Sequence, residues 1–340
     1  MTDRPIHLLL DSAKPRFFEQ VSALAEAGGF EVLSYPGEGP QGLRNRIAEA
    51  DVVYIYQDPL PGDAIRSAPS LRFIQKHGLN CKNIDVSAAT ERGIPVATLP
   101  LFRNIAVAEH AFALMLACAH RILPGHRAVA DAVYREMGIE PIRTTQNEYR
   151  PNWAGIEGVM ELMGAAVGII GLGDIGMEVA RRCRAFGMEV FYHQRQPHTP
   201  DIEEMCEARF LPFEALLETV DYLVLVLPHT AATGGLIGAA AFARMKPSAT
   251  LINVARGGVV DEDALVVALQ SGQIAMAGLD VYREEPLPAA SPLRAMPNVV
   301  LAPHTGGGSY RSRELDRPAG LANIKRFFSG ERAEGIINLK

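Results

Sequence analysis

Residues 166–176 read Ala166-Val-Gly-Ile-Ile-Gly171-Leu-Gly173-Asp174-Ile175-Gly176, an apolar run passing straight into the pattern Gly-x-Gly-x-x-Gly. The pattern alone is weak, because glycine-rich turns occur in unrelated α/β proteins. It gains weight when a strand precedes it, a helix follows, and a second strand ends about 20 residues on. Met177-Glu-Val-Ala-Arg-Arg182 reads as that helix and Met188-Glu-Val-Phe-Tyr192 as that strand. The glycines then have separate tasks. Gly171 permits the tight turn, Gly173 lets the backbone approach a pyrophosphate, and Gly176 lets helix and strand pack closely. With Asp174 and Ile175 opening the helix, phosphates would rest on its first N–H groups at the positive end of the dipole. The stretch is read as a dinucleotide site.

Strands and helical candidates alternate on both sides of this turn. Before it come Ile6–Leu10, Glu31–Ser34, Val52–Tyr56, Leu71–Gln75 and Pro95–Ala97, with helices such as Phe17–Ala27 and Leu43–Ala50 between them. After it come Glu189–Tyr192, Tyr222–Val226, Thr250–Asn253 and Ala275–Gly278. Repeated βα units imply parallel sheets covered by helices. The pattern restarts after a long polar stretch, Gly138 to Gly158, so two doubly wound domains are expected rather than one barrel. A helix from Ile105 to about Arg121 links the two halves, and an amphipathic helix near Ser309–Phe328 is expected to pack on the first.

Bulk properties fit a soluble enzyme. A chain of 340 residues is long for one core, and 48% hydrophobic content is enough for two. A formal net charge of −6 argues against nucleic acid or an anionic membrane as partner. Cys81, Cys118, Cys183 and Cys206 are widely spaced with no Cys-x-x-Cys, which suits a reduced, cytoplasmic protein. Met1-Thr-Asp-Arg-Pro-Ile-His7 leads directly into Leu8-Leu-Leu10, so no secretory signal is expected. The most apolar helix, Ala106 to Ala119, carries Glu109 and His110 and is read as too short to span a bilayer.

The strand after the glycine turn ends in His193-Gln194-Arg195-Gln196. An NAD-selective site carries an acid here for the ribose 2′-hydroxyl. With no carboxylate near and Arg195 available to hold a 2′-phosphate, NADP(H) is the preferred cofactor on this reading and NAD(H) the alternative. Arg195 as a solvated surface charge is the plain reading set against it.

Three downstream motifs now matter together: Asn253-Val254-Ala255-Arg256-Gly-Gly258, Gly278-Leu-Asp280-Val-Tyr-Arg-Glu-Glu285-Pro286 and Ala302-Pro303-His304-Thr-Gly306-Gly307. In this order and spacing the chain resembles the D-isomer-specific 2-hydroxyacid dehydrogenase family, which includes glyoxylate/hydroxypyruvate reductases and 3-phosphoglycerate dehydrogenases. Upstream, Lys76-His-Gly78-Leu79-Asn80-Cys-Lys-Asn83-Ile-Asp85 resembles the family's substrate loop, and Val107-Ala-Glu109-His110 the start of its interdomain helix. The resemblance covers nearly the whole chain. It implies a discontinuous, flavodoxin-like substrate domain (residues 1–104 and 305–340), a Rossmann domain over 105–304, and a homodimer. It also implies that Pro228, Thr233, Val254, Ala255 and Gly306 line the cofactor. Asp280 would accept from the nicotinamide carboxamide, with a capping role as its alternative. Leu79 and Asn80 would hold the substrate carboxylate through their N–H groups.

The residue chemistry supports this separately. Reducing a 2-oxo acid needs a cation to orient the carboxylate and polarise the carbonyl, and Arg256 offers a permanently charged planar fork. It also needs an acid to protonate the forming alkoxide, and His304 can give or take a proton near neutrality. Glu285 would hydrogen-bond to His304, fixing its ring and stabilising the imidazolium. Singly, each could be a surface charge or a satisfied loop residue. Jointly, each at a strand end on the face where α/β sheets bind ligands, they are read as the catalytic set.

Departures from the family pattern raise specific questions. Asn80 replaces the last glycine of the substrate loop, and asparagine tolerates left-handed backbone better than most residues. Lys76 and His77 either add positive charge to the pocket or point outward. The stretch from Gly138 to Gly158 is longer than expected and holds the lone tryptophan, Trp153, read as pocket wall, dimer contact or plain packing. Other readings stay open at this point: a 3-phosphoglycerate dehydrogenase-like enzyme, or a non-catalytic nucleotide-sensing corepressor. Metal catalysis is disfavoured, since His193 and His198 show no His-Glu-x-x-His or Cys/His ligand spacing.

Overall fold

The structure, a computed structural model, describes residues 6–12, 15–34 and 39–339. The leader reading of Met1–Pro5 falls outside them. The chain divides into two compact units, one from the residues up to Ile105 and from Gly308 onward, the other Ala106–Gly307.

The first unit holds β1 (Ile6–Leu10), β2 (Phe30–Ser34), β3 (Val52–Ile55), β4 (Phe73–His77) and β5 (Val96–Leu99), in the order β2-β1-β3-β4-β5. All pairings are parallel, and the order is the flavodoxin-like one. Every residue of β3 and β4 is buried, as expected for central strands covered on both faces. One face packs Leu8, Leu10, Tyr54 and Phe73 against Leu321 and Ile324 of the last helix, Tyr310–Ser329. That helix comes so close that a Cβ on Gly320 would lie 2.3 Å from the Tyr54 hydroxyl, and Asn323 Nδ2 donates to Gln75 Oε1 at 2.8 Å.

The second unit holds β6 (Ala166–Ile170), β7 (Glu189–His193), β8 (Ala208–Phe210), β9 (Tyr222–Leu225), β10 (Thr250–Asn253), β11 (Met276–Leu279) and β12 (Val299–Leu301). Their order is β12-β11-β10-β9-β6-β7-β8, again all parallel. The chain runs outward from β6 to β8 and then restarts beside β6 at β9, which is the dinucleotide-fold switch point. Side chains alternate across the sheet with period two. Val167, Ile169, Tyr192, Val224 and Ile252 join the core on one face, while Ile170, Phe191, Leu223, Leu225 and Leu251 join the other.

Several boundaries differ from the sequence expectation. β4 runs two residues later than Leu71–Gln75 because Lys76 and His77, polar enough to suggest a loop, are buried with partners. β8 and β12, three residues each, are too short to leave a periodicity. The apolar helix spans Phe102–Ala119, 18 residues, and by length and composition alone could cross a membrane. Its Ala108, Ala111, Leu114, Met115 and Cys118 instead fill the core beneath β6 and β9, which accounts for its apolarity.

Candidate active site

The glycine turn divides its labour physically. Gly171 has φ of 97°, and a Cβ there would approach the Val226 carbonyl oxygen to 2.9 Å. A Cβ on Gly176 would lie 2.3 Å from the Gly171 carbonyl oxygen, so helix and strand can meet only over glycine. Gly173, which caps the helix Asp174–Ala185, is different. A Cβ there would meet no atom of the described residues within 4 Å, its own chain neighbours aside. Nothing in the protein's own packing demands glycine at 173, whereas a pyrophosphate resting on the first turn would. The residues therefore fit a dinucleotide.

At the end of β7 the His193 ring turns inward, its Nδ1 3.0 Å from the Leu211 carbonyl, so it belongs to packing. Gln194 Nε2 donates to the Gln196 carbonyl at 2.8 Å, and Arg195 is exposed. His198 makes a link the sequence did not suggest. Its Nε2 lies 2.7 Å from the carbonyl of Leu172, inside the glycine turn, while its N–H donates to Tyr192 Oη at 2.7 Å. The segment carrying Arg195 is thus tied to the phosphate turn.

The remaining residues of this unit follow the carboxyl ends of β9 to β12, as the fold requires of a ligand site. After β9, Thr233 Oγ1 donates to the Pro228 carbonyl at 2.7 Å and closes that loop. After β10, Val254 and Ala255 are buried and Arg256 is exposed, with the Ala255 N–H bonded to Asn253 Oδ1 at 3.1 Å. A Cβ on Gly257 would fall 1.8 Å from the Tyr282 carbonyl oxygen, so glycine presses the Arg256 turn against the loop after β11. That loop carries Glu285, whose Oε2 lies 2.6 Å from His304 Nδ1. Glu285 Oε1 accepts the Tyr282 N–H at 3.2 Å. An ionised carboxylate only accepts, so His304 Nδ1 donates and Nε2 is left for proton exchange.

Asp280 is 1% exposed and accepts the N–H groups of Thr305 at 2.8 Å and Gly306 at 2.9 Å. His110 Nε2 approaches its Oδ1 to 3.1 Å, though off the line of a well-formed hydrogen bond. Burial pushes the carboxyl up, but His110 and the two backbone donors outweigh it and hold Asp280 below the usual carboxylate range. His110 had been legible only as part of a helix start.

In the first unit, the left-handed position of the substrate loop is Gly78, with φ of 97°. Asn80 is not among the residues of positive φ, so losing the family glycine there brings no backbone strain. Its Oδ1 instead accepts the Lys82 N–H at 3.0 Å. Leu79 is half-buried and Asn80 exposed. Lys76 and His77 are 4% and 8% exposed. The Lys76 ammonium donates to the Tyr56 carbonyl, and His77 Nδ1 lies 2.9 Å from Tyr54 Oη. Burial, then Arg103, Lys76 and Arg317, drive the His77 pKa down to about 3, so it carries no charge at neutrality. The residues from Gly138 to Gly158 form neither helix nor strand and are almost wholly exposed. Trp153 stands edge-on to Tyr134, ring centroids 6.2 Å apart.

Residues 112–306 match the family model for the D-isomer specific 2-hydroxyacid dehydrogenase NAD binding domain. A glyoxylate reductase of Thermococcus gammatolerans is 35% identical over 315 residues, covering 91% of this chain and 90% of its own. Glyoxylate/hydroxypyruvate reductase B of Citrobacter koseri is 33% identical over 313 residues, covering 91% and 92%. Among solved structures, an NADPH-dependent glyoxylate/hydroxypyruvate reductase from Sinorhizobium meliloti in complex with NADP and malonate shares 30% identity, with a TM-score of 0.55 over 98% of this chain and 97% of that one. The chain belongs to the D-isomer specific 2-hydroxyacid dehydrogenase family. It is an NAD(P)-dependent oxidoreductase acting on 2-hydroxy and 2-oxo acids.

Proposed function

We propose that the protein reduces a small 2-oxo acid of the glyoxylate or hydroxypyruvate kind to the D-2-hydroxy acid, with NADPH preferred to NADH. The observation carrying this is the Glu285–His304 contact at 2.6 Å, in the unit where Arg256 follows β10 and the glycine turn follows β6. The nicotinamide supplies the hydride. Arg256 binds the substrate carboxylate and polarises its carbonyl, and His304 Nε2 delivers the proton to the forming alkoxide. Glu285 holds the ring and balances the imidazolium. Leu79 and Asn80 offer backbone N–H groups to the carboxylate. Asp174, Ile175, Gln194, Arg195, Pro228, Thr233, Val254, Ala255, Asp280 and Gly306 line the cofactor. The first unit is the substrate domain and the second the dinucleotide domain.

The absence of any acid in residues 193–198 and the exposed Arg195 favour NADPH. A homodimer is the proposed assembly. Its support is the exposed stretch after Gly138, which with its flanks leaves Tyr149, Met160 and Met163 at 63%, 55% and 82% exposure, apolar side chains that a partner protomer would cover. The four cysteines form no disulfide among the described residues, which suits the cytoplasm. A panel of 2-oxo acids offered with NADPH and with NADH, followed by nicotinamide absorbance, tests the reading. Turnover restricted to phosphorylated substrates would replace it with the 3-phosphoglycerate dehydrogenase-like one.

A further inference from the structure

His304 has φ of 56°, a left-handed backbone that few non-glycine residues adopt, histidine somewhat more readily than most. Something must hold it there. Glu285 grips the ring at Nδ1, which orients the imidazole without fixing the main chain beneath it. The main chain is fixed by Asp280, whose two carboxylate oxygens take the N–H groups of the next two residues, Thr305 and Gly306. A buried carboxylate must itself be seated. His110 does this, with Nε2 3.1 Å from Asp280 Oδ1. Its ring lies directly against the turn: a Cβ on Gly306 would come within 3.3 Å of His110 Cδ2. His110 in turn rises from a helix whose Ala108, Ala111 and Phe112 are packed in the core of the same unit, so its position is set by a rigid base.

We propose that His110 is a positioning residue for the proton transfer at His304, acting through Asp280 on the Thr305–Gly306 turn. This rests on the reading of His304 as the proton donor. Glu285 sets the direction of the ring, and the His110–Asp280 pair sets the backbone from which the ring projects. A misplaced acid loses rate more than binding, so His110 governs turnover more strongly than nucleotide affinity, which it reaches only through the cofactor-lining Asp280 and Gly306.

His110→Phe keeps an aromatic ring and removes the polar contact, while His110→Gln restores a donor. In His110→Phe, kcat should fall on the order of tenfold with KM held within about twofold. NADPH affinity, read by nucleotide fluorescence, should fall no more than about twofold, well short of the loss in kcat, and the Thr305 and Gly306 amides should exchange hydrogen faster. His110→Gln should recover most of both losses. Unchanged turnover and exchange in His110→Phe would overturn the proposal. So would a loss of NADPH affinity in step with kcat, since His110 would then act through the cofactor. Should His110→Phe fail to fold, His110→Asn, too short to reach Asp280, carries the same expectations. Amide exchange requires no turnover, so it decides the positioning role even if no 2-oxo acid proves to be a substrate.

Discussion

Glu285 and His304, 19 residues apart in sequence, meet at 2.6 Å through Oε2 and Nδ1. The contact joins the loops after β11 and β12 and selects Nε2 as the working nitrogen. His304→Ala should lower kcat on the order of a hundredfold or more, as for loss of a general acid. Glu285→Gln, which keeps an acceptor but no charge, should lower kcat less than His304→Ala, with little change in KM. Arg256→Ala should damage KM and kcat together, because the guanidinium acts in both ground and transition states. Steady-state kinetics of the three variants would separate these patterns. An unchanged kcat in Glu285→Gln would remove the carboxylate from the account.

Gly173 and Gly176 belong to one motif yet should fail differently. A Cβ at 176 meets the Gly171 carbonyl oxygen at 2.3 Å, so Gly176→Ala forces backbone to move and should cost about 1–3 kcal/mol of stability. A Cβ at 173 meets nothing, so Gly173→Ala should melt like the parent while losing nucleotide affinity. Thermal melts with and without NADPH distinguish the two. A destabilised Gly173→Ala would show that the turn, and not a ligand, requires that glycine.

Arg195→Ala should weaken NADPH binding far more than NADH binding, since only NADPH carries the 2′-phosphate. One charge-assisted contact is worth about 1.5–3 kcal/mol, or roughly ten- to a hundredfold in Kd. Gln194→Asp should favour NADH by adding a ribose acceptor and repelling the phosphate. Titration of each variant with both nucleotides is the check, and equal losses for the two on removing Arg195 would mean that it does not read the 2′ position.

His77 gives the fold an acid limit. Its pKa falls from 6.5 to about 3 on folding, through burial first and then Arg103, Lys76 and Arg317. The unfolded chain therefore binds the extra proton between those values, and stability is lost as pH drops below about 6.5. By pH 4.5 the loss from this one group is about 2–3 kcal/mol. His77→Gln keeps a polar partner for Tyr54 and should flatten that part of the profile. Urea unfolding of both proteins at pH 7 and pH 4.5 measures the difference, and parallel profiles would place the acid sensitivity elsewhere.

Much of this was readable because the motif residues follow strand ends, and strand ends show in the sequence as apolar runs such as Thr250–Asn253 breaking into Val-Ala-Arg256-Gly. The two-sheet architecture followed from the βα rhythm and its restart at Ala166. What escaped were contacts across long separations that leave no local pattern. His110 meets Asp280 at 3.1 Å, and His198 meets the Leu172 carbonyl at 2.7 Å. Lys76 and His77 misled for a related reason. Polar residues suggest surface, and partners brought by folding, the Tyr56 carbonyl and the Tyr54 hydroxyl among them, make their burial tolerable. At Asn80 the family pattern suggested a backbone constraint that the structure places at Gly78.

The most direct test is a single reaction: hydroxypyruvate with NADPH and the purified protein, followed by nicotinamide absorbance and by chiral analysis of the product. The account predicts that one NADPH is consumed for each D-glycerate formed, and that the reaction all but disappears in His304→Ala. No turnover alongside tight NADPH binding would contradict it and favour a nucleotide-sensing role. An L-product, or full activity without His304, would contradict it equally.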